Sequence, residues 1–254
     1  MTPRLAVVAL VVLTAGCAST AEREAEQAKR EQLIETNIQL ANGYLQRGQI
    51  EFARDKLERA LSLDADDSQA NNMMALLQWR LKDYDAAEHY FRRAVRNELN
   101  AEAQNNFGAF LCDRGQLEDA ETWFKRAVAN RLYKTPGVAN QNAGLCFYNA
   151  KAYDKAEKYF RDALKLDPRL PVSLYHMGSI SFATGRMLAA RGFIQRYFQS
   201  AGPDTPEVLF LAVRVERALK NKDDEASYAV RLRGKFPTSP EAQELQNLSA
   251  GRKG

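Results

Sequence analysis

The residues that usually carry chemistry are scarce in this 254-residue chain, and each shortage removes a class of function. There are two histidines, His89 and His176, far apart and with no motif around either. A glycine-rich phosphate loop, an H-E-x-x-H helix and a G-x-S-x-G elbow are all missing, which leaves nucleotide, zinc-hydrolase and serine-hydrolase chemistry without a foothold. Of the three cysteines, Cys112 and Cys146 lack the paired spacing of a zinc site. The acidic pairs Asp66–Asp67 and Asp223–Asp224 fall in turns and read as helix caps and solvated faces. No catalytic residue and no metal ligand is assigned, and neither an enzymatic activity nor a small-molecule substrate is expected. Charge removes one class more. The 36 Lys and Arg stand against 32 Asp and Glu with no dominant basic stripe, which argues against nucleic acid as the main partner.

Long apolar runs are missing too, except at the start. Leu5 to Leu13 reads LAVVALVVL, preceded by Arg4 as the only charge. This is shorter than the about 20 residues a spanning helix needs, but it has the length of a signal-peptide core. Thr14, Ala15 and Gly16 follow, and then Cys17. The string resembles the lipobox of bacterial lipoproteins, with one departure: Thr14 stands three places before the cysteine and Leu13 one place further out. That resemblance implies cleavage after residue 16, with diacylglyceryl and N-acyl lipid on Cys17 and no dissociable cofactor. Ala18, rather than Asp, after the cysteine implies sorting to the outer membrane, facing the periplasm. An ordinary secretory signal cut at an A-x-A-like site is the alternative. Removing Arg4 leaves 35 basic against 32 acidic residues in the mature chain. Residues 17–33 then form a lipidated cysteine and a polar tether. Its segment Ala18–Arg30, ASTAEREAEQAKR, has helix-forming composition but no large apolar residue with which to bury a face.

The remainder is a repeat. Stacking Ala53, Ala87, Ala120, Ala156, Ala190 and Ala226 gives separations of 34, 33, 36, 34 and 36 residues, the tetratricopeptide period. With these alanines at motif position 20, the large residue at position 24 is Leu57, Phe91, Phe124, Phe160, Ile194 and Val230. Position 27 is Ala60, Ala94, Ala127 and Ala163, then Tyr197 and Arg233. Position 8 is small: Ala41, Ala75, Gly108, Gly144 and Gly178, with Ala212 serving in the last unit if two residues are inserted between its helices. Small residues here let paired helices come closer than the usual 8–10 Å while the aromatic fills the space beside them. Gly48, Gly115 and Gly185 fall at position 15, where a helix ends on a left-handed residue, and Lys82 and Lys151 replace that glycine in two units. The expected fold class is all-α, a right-handed superhelix of six helix-turn-helix repeats over residues 34–240, with residues 241–254 as cap and tail.

The first helices of such arrays line a concave surface, at positions 2, 5, 6, 9 and 12 by resemblance. Here those positions supply Asn72, Leu76 and Trp79, then Asn105, Asn106 and Ala109, then Gln141, Asn142, Leu145 and Tyr148. Carboxamides both donate and accept, which suits the main chain of an extended peptide, with apolar neighbours holding its side chains. The alternative is that the asparagines merely start helices. Position 2 is Glu35, Gln69, Glu102, Val138 and Val172, which disfavours capture of an acidic C-terminus. Cys112 and Cys146 occupy positions 12 and 10 of neighbouring first helices, and in an oxidising periplasm a disulfide between them is expected, against the alternative of two buried thiols.

The strings NNFGAFLCDRGQLEDAETWFKRAV and NQNAGLCFYNAKAYDKAEKYFRDAL, behind a lipoprotein signal, resemble the type IV pilus biogenesis and stability lipoproteins of the PilF/PilW type. The paired F-L-C and G-L-C are their most specific part. The resemblance implies a pilotin: an outer-membrane lipoprotein, monomeric apart from its partner, that binds the pilus secretin, guides it to the outer membrane and promotes its multimerisation. That in turn implies a part in pilus formation and twitching motility. Two other interaction readings stay open, a repeat lipoprotein of the outer-membrane protein insertion machinery and a periplasmic adaptor for peptidoglycan enzymes or proteases.

Overall fold

The computed structural model describes the backbone of residues 4–250 and the side chains of residues 20–248. The expected lipid site, Cys17, lies outside the described side chains. Among the described residues the regular structure is thirteen helices with no strand. Two compact units divide the chain. The first, Met1–Phe107, holds α1 (Arg4–Gln46), α2 (Ile50–Leu63), α3 (Ser68–Arg80), α4 (Tyr84–Ala94) and the start of α5 (Ala101–Asp113). The second, Gly108–Gly254, continues α5 and holds α6 (Leu117–Ala129), α7 (Pro136–Asn149), α8 (Tyr153–Leu166), α9 (Pro171–Ala183), α10 (Met187–Gln199), α11 (Pro206–Ala218), α12 (Lys222–Lys235) and α13 (Pro240–Ala250). No described helix is long and apolar enough to cross a membrane.

Each hairpin turns by the same device. The first helix ends on a left-handed residue, Gly48, Lys82, Gly115, Lys151, Gly185 or Lys220, with φ between 60° and 76°. The next residue's N–H reaches back over the turn, as Gln49 to the Tyr44 carbonyl at 2.9 Å and Ala152 to that of Phe147 at 2.8 Å. Orphan carbonyls of the helix end are thereby satisfied. Loops between hairpins repeat a second device: the Oδ1 of Asp64, Asn97, Asn130 and Asp167 accepts from the N–H two residues on, at 2.9–3.0 Å.

Inside each hairpin the small and large positions meet. Ala53, Ala87, Ala120, Ala156 and Ala190 are fully buried, as are Leu57, Phe91 and Phe160. In the first unit Ala41, Ala53, Leu57, Met74 and Leu77 form one cluster. Near the end of the second, Ala190, Ile194, Leu211, Ala212 and Val215 form another.

The sixth repeat corrects the alanine register. Ala226 is exposed and Val230 is 65% exposed, whereas Ala229 and Leu232 are buried. Left-handed Lys220 sits where Gly185 does one repeat earlier, which sets Pro206 at position 1, Glu225 at position 20, Ala229 at 24 and Leu232 at 27. No insertion separates the two helices; Val213, fully buried, takes position 8. A carboxylate can hold the usual alanine site because Arg217 donates to Glu225 at 2.8 Å. Stacking alanines missed this by one residue.

Close approach is not equal in all repeats. A Cβ placed on Gly144 would lie 2.6 Å from the Phe160 ring, whereas one on Gly178 would meet Ile194, Leu211 and the Ala190 carbonyl at 3.4–3.7 Å, ordinary contact. Gly144→Ala is expected to destabilise by about 1–2 kcal/mol, because overpacking outweighs the gain in helix propensity. Gly178→Ala is expected to be neutral or stabilising by up to about 1 kcal/mol. Urea unfolding of the two variants checks the ordering.

Candidate functional site

The first helices carry the expected binding residues, but the carboxamide row is largely occupied by its own neighbours. Asn72 and Asn105 are 2% and 5% exposed, too buried to meet a peptide, which corrects the expectation for these two. In the first unit the Asn106 amide donates to Asn72 Oδ1 at 3.2 Å, tying α5 to α3. In the second, Ser173 Oγ donates to Gln141 Oε1 at 3.2 Å, tying α9 to α7. A side-chain amide spent on an adjacent helix satisfies a part-buried seam and is not free for a ligand. The remaining positions, Leu76, Trp79 and Asn106 in the first unit and Ala109, Gln141, Asn142, Leu145 and Tyr148 in the second, are half-exposed.

Position counting that stopped at the fourth repeat missed α9. The same positions of the fifth repeat bring Tyr175, His176, Ser179 and Phe182 to the half-exposed surface beside α7. Tyr148 and His176 meet edge to face at 4.5 Å, and His176 lies flat on Phe160, with ring centroids 5.1 Å apart. The Tyr148 hydroxyl is 3.4 Å from Ser179 Oγ. His176 Nδ1 is buried without a partner, and burial pushes the imidazole pKa down to about 4. Neutral His176 thus extends an aromatic surface suited to binding.

Cys112 and Cys146, 34 positions apart in sequence, are joined by a disulfide between α5 and α7, with Cα atoms 5.7 Å apart. Among the described residues no cluster of three or more His, Cys, Asp or Glu could hold a metal ion.

Two descriptions of the tetratricopeptide repeat match consecutive parts of the chain, residues 38–97 and residues 99–169, together just over half of it. The chain belongs to the tetratricopeptide-repeat family. Within that family it is 28% identical over 250 residues to the type IV pilus assembly protein PilF of Pseudomonas aeruginosa, covering 97% of this chain and 99% of PilF. The solved structure of Pseudomonas aeruginosa PilF superposes with a TM-score of 0.77 at 28% identity, over 86% of this chain and 98% of that one. PilW, described as a widely conserved type IV pilus biogenesis factor, superposes at 0.73 and 28%, over 85% and 99%. These likenesses support a tetratricopeptide protein of type IV pilus biogenesis. A structure of MamA, at 15% identity and a TM-score of 0.53, shares the fold alone.

Second helices of the second unit are cross-linked by charge. Burial opposes ionisation of Glu121, but hydrogen bonds from Lys125, Tyr159 and Lys155 outweigh it and bring the pKa to about 2. Glu157, held by Arg186 and Arg161, also falls to about 2. For each carboxylate the folded pKa lies below the unfolded 4.5, so its contribution is complete above that pH and is lost as pH falls towards 2. For His176 the unfolded chain binds more protons between 6.5 and about 4, so stability also falls with pH in that higher window. Urea midpoints measured against pH are therefore expected to decline in two stages, and His176→Phe is expected to remove the upper one only. Reducing the disulfide is expected to cost about 3–4 kcal/mol on loop-entropy grounds. Thiol titration of the denatured, unreduced protein checks the bridge, with two titratable thiols excluding it.

Proposed function

We propose that the chain is an outer-membrane lipoprotein acting as a pilotin: anchored through Cys17, it binds the type IV pilus secretin and promotes its outer-membrane localisation and multimerisation. The observation that carries this reading is likeness over the full length to PilF, 97% of this chain and 99% of the relative. A match confined to the repeats would speak only for the fold. The signal-like run ending in Cys17 supports the anchor, and the half-exposed apolar residues of the first helices support a protein partner in place of a substrate. No cofactor other than the lipid enters this reading, and the protein acts by binding, without catalysis.

Two separable defects are expected. Cys17→Ser leaves a folded periplasmic protein that binds secretin and fails to deliver it. Leu76→Glu with Leu145→Glu, both at half-exposed positions, leaves helical content unchanged and weakens binding; losing a buried apolar anchor typically costs about 2 kcal/mol or more, roughly a 30-fold loss of affinity. Both converge on few heat-stable secretin multimers in outer-membrane fractions and few surface pili. Normal multimers in a strain lacking this protein would remove the pilotin reading and return the scaffold alternatives.

A further inference from the structure

The segment between the lipid site and the first repeat has the composition of a leash but the structure of a rod. Helix α1 is uninterrupted from Arg4 to Gln46, so one helix contains both Cys17 and the first core residues, Ile34 and Ile38. Residues 20–33 of that helix are exposed on every side. A helix polar all round buries no face and needs another source of stability. Three are present. Nucleation, the costly step for an isolated helix, is already met by the folded repeat, and the segment only propagates it. The sequence from Ala18 to Leu33 contains neither Gly nor Pro and is rich in Ala, Glu, Gln, Lys and Arg, all good helix formers. Finally, the rod is fastened at its base. The Arg30 guanidinium donates to the Leu63 carbonyl at the end of α2, and Gln27 donates to Glu31 at 2.7 Å one turn along.

We propose that residues 18–33 are a rigid helical spacer that holds the first repeat at a set height and orientation over the membrane. The inference rests on lipid attachment at Cys17. Seventeen residues of helix from Cys17 to Ile34 give a stand-off of about 25 Å. A flexible chain would let the repeats sample every orientation, including ones in which the binding surface faces the bilayer. The spacer removes those and presents the surface to a partner already at the membrane.

The test uses full-length lipoprotein and separates stiffness from reach. Replacing residues 20–29 by ten Gly and Ser residues gives a root-mean-square span of about 16–19 Å, close to the about 15 Å of helix it replaces. A second variant replaces the same residues by a different Ala, Glu and Lys helix. Paired spin labels on cysteines placed at positions 24 and 58 of all three chains, both exposed in the first unit, report the geometry in detergent. One narrow distance is expected in the native chain and in the re-coded helix, and a broad distribution in the Gly and Ser variant. All three are expected to fractionate with the outer membrane, while the Gly and Ser variant alone loses most heat-stable secretin multimers. A broad distribution in the native chain, or full multimer yield from the flexible variant, overturns the spacer. Release of the native chain from the membrane fraction would instead overturn the anchor on which it rests, and Cys17→Ser serves as the reference for that outcome.

Discussion

The constraint on which the rest of this protein depends is the close approach of the two helices in each repeat. In the fourth repeat Gly144 on the first helix faces fully buried Phe160 on the second, with no space for even a methyl group between them. Dense packing of this kind is sensitive to single carbon atoms. It fixes the spacing of the hairpin, and the left-handed turn residue fixes its length.

Between repeats, polar and covalent ties add to apolar clusters in which Met74 and Leu77 join Leu57, and Leu211 and Val215 join Ile194. Glu121 receives Lys155 at 3.1 Å and Tyr159 at 2.7 Å from the following second helix, and Glu157 receives Arg186 through two bonds of 2.7–2.8 Å. On the side of the first helices the Ser173–Gln141 bond and the Cys112–Cys146 disulfide do the same work. Exposed ion pairs contribute little singly, but these recur at one motif position, so each acts on the same hinge in successive repeats. A repeat array is stable as a sum of such neighbour terms. The consequence for binding is that amides at the seam are committed to the scaffold, and the exposed apolar and aromatic residues are left to meet a partner.

His176 illustrates how binding and stability are linked. Its ring is packed against Phe160 and Tyr148 and is kept neutral by burial, so it adds aromatic surface beside Tyr148 without adding charge. A charged imidazole there would lose that packing and sit desolvated.

Much of this was legible in the sequence because tetratricopeptide packing is local and periodic. Ala53 to Ala190 mark the buried face, Gly48, Gly115 and Gly185 mark the turns, and the F-L-C and G-L-C strings place two cysteines on neighbouring first helices. All of these depend on contacts repeated every 33 to 36 residues. Where a residue's role depends on a partner outside that period, tertiary structure decided. Glu225 stands at an alanine position and accepts from Arg217, so the sixth repeat could not be registered by stacking alanines. Asn72 and Asn105 carry the side chains of a peptide groove, but both are buried, and Asn72 accepts from Asn106 of the adjacent first helix. Tether composition allowed a helix, yet its continuity with the first repeat and its fastening at Arg30 follow from how α1 meets α2. Periodicity says which face is buried; only the packed structure says which exposed polar groups remain free, because that depends on neighbours distant in sequence.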